Sequence, residues 1–248
     1  MGILVGIGQQ VKHDFFNLVG IKMQHKRLYP RMEIERDIFL LGNIGEGTTD
    51  FTDKTDDVTG HRVKPELVAY GEDGSSGAAA MVSGTAALIQ QAFKLKHGVL
   101  PASATTKAIL INSANDVGTA GIDFSSGYGN LNTYAAVKTV QEGRIFESTI
   151  QSNKTQSVSI QVPVNTSNLK VTLVWTDPAA VVNAAKALVN DLNLIVKSPD
   201  NNQWLPWVLD HRPSLASLQL PAERKTDTLN TVELVTVNNP AAGTYTIE

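Results

Sequence analysis

A run of small residues around two adjacent serines is the part of the sequence best suited to chemistry. Residues 74–84 read Gly-Ser-Ser-Gly-Ala-Ala-Ala-Met-Val-Ser-Gly, which places Ser76 in the first turn of an alanine-rich helix. Free backbone N–H groups and the positive end of the helix dipole stabilise developing negative charge at such a position. Ser76 is therefore a candidate nucleophile whose tetrahedral adduct the helix terminus would stabilise.

The same serine also has an ordinary structural explanation. Serine is among the preferred N-cap residues, because its hydroxyl accepts a hydrogen bond from a free N–H group of the first turn. Taken from this stretch alone, the N-cap is the favoured interpretation and the nucleophile is the alternative.

The elements around this turn alternate between strand and helix. A short strand over 63–70 precedes the serines, with its proline at an edge or at the start of the strand. The pattern predicts a helix over 78–93. Its apolar residues are spread around the helix and leave no polar side for solvent, so we expect it to be buried. A second helix starts near Pro101 with Ser103 as its N-cap, and a third follows the glycine-rich residues 127–130. Residues 62–147 are thus predicted to be α/β.

In the second half of the chain, apolar and polar residues alternate with a period of two, as in β-strands. Strands are predicted over 158–162, 169–175, 192–196 and 232–237, and asparagine, proline and aspartate form turns between them. Residues 243–248 alternate as another strand. Short strands with regular turns and no helical stretch predict an antiparallel β-sandwich or jelly roll. Residues 1–60 are hard to assign, apart from a short strand at 39–41.

Composition excludes several classes of protein. The 248 residues are 42% apolar and 18% charged, which excludes a disordered or fibrous chain. Twenty-one basic and 24 acidic side chains give a net charge of −3, so there is no electrostatic case for nucleic acid or an anionic membrane. The chain has no cysteine, hence no thiolate zinc site and no thiol nucleophile. The first residues lack the basic leader and cleavage site of a signal peptide.

Several stretches together resemble subtilisin-like serine peptidases of the S8 type. Residues 63–71 look like the strand before the nucleophile of that family. Residues 74–84 are similar to its motif Gly-Thr-Ser-Met-Ala-x-Pro-x-Val-x-Gly, with Ser76 in the nucleophile's place and with Gly77 and Ala80 departing from the expected methionine and proline. Residues 127–132, Gly-Tyr-Gly-Asn-Leu-Asn, resemble the signature that closes such domains. Residues 169–178, 188–194 and 239–245 look like the β-sandwich appended to many large secreted subtilases.

The resemblance implies two units. Residues 1–147 would be an incomplete subtilase-like α/β domain, and residues 148–248 a C-terminal all-β antiparallel sandwich or jelly roll. We expect the chain to be either a truncated or a rearranged subtilase. The family is typically secreted, whereas the sequence shows no signal peptide, so the localisation stays open.

The usual acid and base motifs of the family are missing from the sequence. A serine nucleophile needs a base to take its proton and an acid to orient that base. His61 is the substitute base and Asp57 the substitute acid that the sequence offers, although a solvated loop explains both. Asn43, in Leu-Gly-Asn-Ile-Gly, is a faint match to the oxyanion donor of the family, with a surface turn as the alternative. His97 lies about 30 Å along the helix from Ser76 and cannot serve it in the same chain.

Two further sites carry weaker hypotheses. Oxygen ligands for calcium are available from Asp177, Asn190, Asp191 and Asn193, but turn and strand-end roles are the favoured interpretation. The tryptophans could stack on carbohydrate, but aromatic residues on alternating strands are more often core; these are Trp175, Trp204 and Trp207. No cofactor is expected. Calcium binding is an alternative that no further feature of the sequence supports. Tyr128 is assigned to packing rather than to substrate recognition.

The resulting prediction is a serine hydrolase with Ser76 as nucleophile, esterase-like or weakly peptidolytic rather than a full endopeptidase. The alternative is a catalytically inactive subtilase fragment that acts as a binding or structural module. An incomplete sheet exposes an edge and an uncovered face, so a homo-oligomer is also expected.

Overall fold

The computed structural model describes residues 62–71, 74–212 and 214–248, together with the backbone of two earlier strands at 3–9 and 38–40. The helices are α1 (Ser75–His97), α2 (Ser103–Ser113), α3 (Thr133–Glu142) and α4 (Leu215–Leu218). The strands are β1 (Ile3–Gln9), β2 (Ile38–Leu40), β3 (Val68–Tyr70), β4 (Ile145–Ser148), β5 (Val158–Val162), β6 (Asn168–Trp175), β7 (Val196–Lys197), β8 (Gln203–Trp204), β9 (Trp207–Val208), β10 (Glu223–Arg224), β11 (Val232–Asn238) and β12 (Gly243–Ile247).

Eight of the described strands form two four-stranded sheets. One has the order β11-β6-β1-β4 and the other the order β5-β12-β7-β8, and every pair of neighbours is antiparallel. Two smaller pairs, β2-β3 and β9-β10, are also antiparallel. No helix among the described residues is both long and apolar enough to cross a bilayer.

Two apolar clusters form the core. The first joins the three long helices to one side of the β11-β6 pair, and it contains Ile89, Ile109, Val140, Val174 and Leu234. The second lies among strands of both four-stranded sheets and includes Val171, Leu173 and Val235 from one sheet, and Tyr245 and Ile247 from the other. The alternation of β6 and β11 explains the division, because successive side chains point to opposite faces.

Most of the predicted elements are confirmed. The strands predicted over 158–162, 169–175 and 232–237 are β5, β6 and β11, the one at 39–41 is β2 shifted by one residue, and the three helices of residues 62–147 are present. Ser103 is not an N-cap: it is the first residue of α2, and Ala102 precedes it without a side-chain bond. Side-chain capping occurs instead at α3, where Asn132 accepts a hydrogen bond from the N–H of Ala135 at 2.9 Å.

The strand predicted over 192–196 is wrong except at its last residue. Within this segment, the N–H of Leu194 binds a side chain instead of a neighbouring strand, because it donates to the Glu233 carboxylate at 2.6 Å. Ile195 exchanges two backbone hydrogen bonds with Glu248, and the strand itself begins at Val196.

The prediction that α1 is buried is also wrong. Its buried residues are Ala78, Thr85, Ile89 and Phe93, which face α3 and β3. Met81, Leu88 and Leu95 on the other side are 51%, 46% and 82% exposed. Apolar residues spread around a helix allow any of its sides to be buried. Which sides are buried depends on the elements that pack against the helix.

Candidate active site

The strand that leads to the serines is held by a partly buried ionic cluster and by the glycine-rich connection. Glu66 accepts hydrogen bonds from the ammonium groups of Lys64 and Lys107, which ties the strand to α2. Burial raises the pKa of Glu66, but the charges of Lys107 and then Lys64 outweigh burial and hold that pKa below its ordinary value. The carboxylate is therefore ionised at neutral pH and fixes the approach of the chain to the serine turn.

Residues 128–131 run alongside this strand. The carbonyl of Glu66 accepts from the N–H of Tyr128 at 2.8 Å, the N–H of Val68 donates to Gly129, and the N–H of Leu131 donates back to Val68. Tyr128 is 3% exposed, and its hydroxyl donates to the carbonyl of Val232 at 3.2 Å. The packing role assigned to Tyr128 is confirmed, and burial raises the pKa of its hydroxyl well above the ordinary value.

The turn into α1 depends on glycine. A Cβ on Gly71 would lie 2.3 Å from the backbone nitrogen of Ala78, so only glycine lets the end of β3 pass this close to the helix. Gly74 is the N-cap, with φ of 69°, and its carbonyl accepts the first helical hydrogen bond from Ala78 at 3.1 Å. Glycine has no side chain to cap the helix, so the N–H groups of the first turn have no side-chain acceptor from this position.

Ser75 and Ser76 are consequently the first two helical residues, and both are exposed. Within the described part of the chain, the Ser76 hydroxyl makes no hydrogen bond. Ser83 shows the contrasting behaviour of a serine inside the helix, because its hydroxyl donates to the carbonyl of Ala79 at 2.9 Å. The N-cap interpretation of Ser76 is therefore wrong: the capping position belongs to Gly74.

The predicted partners of Ser76 lie outside the described residues. Asp57, His61 and Asn43 fall in the range 41–61, so their proposed roles stay predictions. Two histidines lie in the described ranges. His97 stacks on Phe93 with ring centroids 4.3 Å apart at the far end of α1, and His211 lies between β9 and α4.

The oxygen-rich residues near 177–193 form a turn. Asp177 closes it by accepting hydrogen bonds from the N–H of Val189 at 2.6 Å and from the N–H and side-chain amide of Asn190 at 3.0 and 2.7 Å. Asp191 pairs with Lys186 at 2.8 Å. Among the described residues, no cluster of three metal-binding side chains is present. The turn role favoured for Asp177 and Asn190 is confirmed.

We expect Asp177→Ala to lower the free energy of unfolding by about 2 kcal/mol, because it removes a charged acceptor of three hydrogen bonds. Urea unfolding measures the effect. Asp191→Ala is the matched control, and its exposed ion pair predicts a loss below about 1 kcal/mol. Stabilisation of the wild-type chain by millimolar calcium, lost in Asp177→Ala, would contradict the turn role.

The tryptophans do not form a common face. Trp175 is 2% exposed in the second core cluster, Trp204 lies 6.2 Å from the ring of Tyr245, and the indole of Trp207 donates to Thr236 at 2.8 Å. The Arg224 guanidinium lies 3.9 Å from the ring centroid of Trp207. The core assignment is confirmed for Trp175, while Trp204 and Trp207 are partly buried and pack against the two core clusters.

The structure also reveals two charged side chains on the central strands β6 and β11 that the sequence analysis missed. Lys170 of β6 donates to the carbonyl of Ala114 at 3.0 Å, and burial lowers its pKa to about 8. Glu233 of β11 is 1% exposed. A charged residue between apolar neighbours in a strand was the available signal in both cases.

Part of the sequence that forms this site matches a known protein family. Residues 42–129, which include the strand, the serine turn, α1, α2 and the first part of the glycine-rich connection, match the sequence model of the subtilase family. This part of the chain is subtilisin-like.

Two known proteins are similar to parts of this chain. The chain is 24% identical over 202 residues to the serine protease/ABC transporter B family protein tagA of Dictyostelium discoideum, a match that covers 71% of this chain and 11% of that protein. The chain thus spans about a tenth of the length of this curated relative. A crystal structure of a lanthipeptide protease is 40% identical over 26% of this chain and 20% of its own, with a TM-score of 0.25. That score is too low to bear on the overall fold.

Proposed function

We propose that this chain is a serine hydrolase of subtilisin-like descent that uses Ser76 as its nucleophile. The observation that carries the proposal is the placement of Ser76: it is exposed in the first turn of a 23-residue helix, while glycine occupies the capping position. Its position in the matched range of the subtilase family supports the same role.

In the proposed reaction, the Ser76 hydroxyl oxygen attacks the carbonyl carbon of an ester or peptide. The hydroxyl proton passes to a base, for which His61 oriented by Asp57 is our candidate. The negative charge that develops on the carbonyl oxygen would lie near the N–H groups at the start of α1, with Asn43 as a further candidate donor. The leaving group then departs, and water hydrolyses the acyl-enzyme.

The proposed substrates are esters first and peptides second. A phenolate leaves without being protonated, whereas an amine needs a general acid to donate a proton to it. Because the family's usual acid and base motifs are absent from the sequence, the proposed enzyme is esterase-like or weakly peptidolytic.

We also propose the division of the chain into residues 1–147 and residues 148–248. The second unit would be a β-sandwich, an interpretation supported by the apolar cluster shared between strands of the two four-stranded sheets. A homo-oligomer is part of the proposal as well, and it is supported by the exposed apolar side of α1, which bears Met81, Leu88 and Leu95.

We expect Ser76→Ala to reduce hydrolysis of p-nitrophenyl acetate by at least about 100-fold, because the variant lacks the attacking oxygen. Release of nitrophenolate, followed by absorbance, measures the rate. Ser75→Ala is the matched control, since it alters the neighbouring exposed serine of the same turn, and it should retain most of the activity.

Equal rates for the wild type and Ser76→Ala would favour the alternative, a catalytically inactive subtilase fragment that acts as a binding or structural module. Circular dichroism of both variants verifies that α1 is intact.

A further inference from the structure

A buried hydrogen bond joins the stretch that leads to Ser76 to a turn near the other end of the chain. We call this stretch, residues 63–71, the serine segment. The N–H of Val63 donates to the side-chain oxygen of Asn230 at 2.9 Å, although 167 positions separate the two residues in the sequence. Both residues are buried, so the bond is shielded from water. The first residue of the serine segment is therefore held by a side chain from the second half of the molecule.

The carboxylate of Asp227 determines how the amide of Asn230 is oriented. One carboxylate oxygen accepts from the N–H groups of Leu229 at 2.8 Å and Asn230 at 3.0 Å, and the other accepts from the Nδ2 of Asn230 at 2.7 Å. An amide side chain carries its donor nitrogen and its acceptor oxygen on opposite sides. With this nitrogen bound to Asp227, which is 2% exposed, the oxygen of Asn230 is turned toward Val63.

A second link reaches the serine segment from the same region. The hydroxyl of Tyr128 donates to the carbonyl of Val232, the first residue of β11, and the backbone N–H of Tyr128 donates to the carbonyl of Glu66. Residues 227–232 thus hold the serine segment at two points, at Val63 directly and at Glu66 through Tyr128.

The rest of the serine segment leaves little room to absorb a displacement. The N–H of Val68 donates to the carbonyl of Gly129, and the carbonyl of Val68 accepts from the N–H of Leu131. At the end of the segment, the backbone of Gly71 approaches the nitrogen of Ala78 so closely that a Cβ would not fit. Because closely packed elements transmit strain, a shift at the start of the segment moves the turn into α1.

We propose that Asp227, Asn230 and the Tyr128 hydroxyl, which we call the clamp, are positioning residues for the reaction at Ser76. The inference rests on the proposed function of Ser76. The clamp holds the serine segment, and the segment holds the first turn of α1 in the position from which the hydroxyl attacks. A displacement of about 1 Å can lower a reaction rate by about 100-fold, so a clamp that does not contact the substrate can still control kcat.

Exchanging Asp227 and Asn230 tests the clamp with almost no change of shape, because aspartate and asparagine have nearly the same size. Asp227→Asn replaces a carboxylate oxygen with an NH2 group, so two donors face each other and the Asn230 amide turns over. Val63 then faces an NH2 group and loses its acceptor. In the double variant Asp227→Asn/Asn230→Asp, the amide donates to the carboxylate, whose other oxygen again accepts from Val63.

Two measurements on the full chain follow the effect. Amide hydrogen exchange reports how firmly the serine segment is held, and it does not depend on catalysis. Hydrolysis of p-nitrophenyl acetate gives kcat and KM. For Asp227→Asn we expect exchange at least about tenfold faster, and a kcat at least about fivefold lower with KM changed less than about twofold. The double variant should return both exchange and kcat to within about twofold of the wild type.

Tyr128→Phe tests the clamp by a second route. It removes only the bond to Val232 and keeps the aromatic ring in the core, so it remains informative where Asp227→Asn does not fold. We expect it to lower kcat at least about threefold, because one hydrogen bond of the clamp is lost.

Asp177→Ala is the control for a loss of stability alone, because Asp177 also accepts three hydrogen bonds but receives them from Val189 and Asn190. Its kcat and the exchange of its serine segment should match the wild type, and circular dichroism selects conditions in which each variant is folded. A wild-type chain that does not hydrolyse the ester would refute the function of Ser76, whereas the exchange data decide independently whether the clamp holds the segment. Unchanged exchange in Asp227→Asn, faster exchange with an unchanged kcat, an equal loss of kcat in Asp177→Ala, or a double variant no better than the single one would overturn the proposal.

Discussion

Replacing Glu233 with glutamine is expected to raise the free energy of unfolding by about 3 kcal/mol at pH 7. Glu233 lies on β11 with 1% of its surface exposed, and one carboxylate oxygen accepts from the N–H of Leu194 at 2.6 Å. The other oxygen is buried and has no hydrogen-bond partner among the described residues. Burial, followed by the charges of Asp227 and Asp191, raises the pKa of Glu233 to about 9.

The sign of the pH dependence follows from the raised pKa. Between pH 4.5 and about 9, the folded chain keeps a proton on Glu233 that the unfolded chain releases. The wild type therefore loses about 1.4 kcal/mol of stability for each pH unit in this window. Glutamine carries no titrating proton and still offers an oxygen to Leu194, so the advantage of Glu233→Gln should grow with pH.

Urea unfolding of the wild type and the variant at pH 5, pH 7 and pH 8.5 measures this difference. Glu223→Gln is the control, because the carboxylate of Glu223 on β10 is 76% exposed and its substitution should leave stability nearly unchanged. A difference between Glu233→Gln and the wild type that stays constant across this pH range would show that the carboxyl group is not protonated in the folded chain.

Gly129→Ala should destabilise the chain by about 4 kcal/mol or more. An alanine Cβ at this position would lie 2.2 Å from the carbonyl oxygen of Asn115, and the backbone φ of 118° is itself unfavourable for any residue with a side chain. The backbone on both sides of this contact is held in place, because Asn115 and Asn130 exchange two backbone hydrogen bonds beside it. The clash therefore disrupts the connection that pairs with the strand before Ser76.

Two other glycines separate the steric effect from the conformational one. Gly74 has a φ of 69° but open space around a Cβ, so Gly74→Ala should cost only about 1 kcal/mol. Gly84 lies inside α1, also with open space, so Gly84→Ala should stabilise the helix by about 0.5–1 kcal/mol. Equal effects of Gly129→Ala and Gly74→Ala in urea unfolding would contradict the close approach at Asn115.

Local patterns in the sequence predicted much of the fold because they depend on neighbouring residues. The alternating residues 158–162 and 232–237 form the strands that their pattern predicts. A helix follows the small-residue turn around Ser76, as its sequence predicts. Non-local features were not predictable in this way. The pairing of β1 with β6 joins residues far apart in the chain, and nothing in Ile3–Gln9 specifies that partner.

The candidate site was predictable to a similar extent. The sequence placed Ser76 in the first turn of a helix, but it did not distinguish a cap from an exposed hydroxyl, because that depends on which residue has the non-helical backbone at Gly74. The environment of Glu233 was missed for a related reason: the strand alternates correctly, but its second face is buried by elements distant in sequence.

Labelling with a fluorophosphonate tests the central claim, that the Ser76 hydroxyl is a reactive nucleophile. The phosphorus forms a covalent bond to a serine oxygen as fluoride leaves, and mass spectrometry of the digested chain identifies the modified residue. We predict a single adduct on the peptide that contains Ser76, retained in Ser75→Ala and absent from Ser76→Ala. Labelling that persists unchanged in Ser76→Ala, or a folded wild-type chain that takes up no label, would contradict the account.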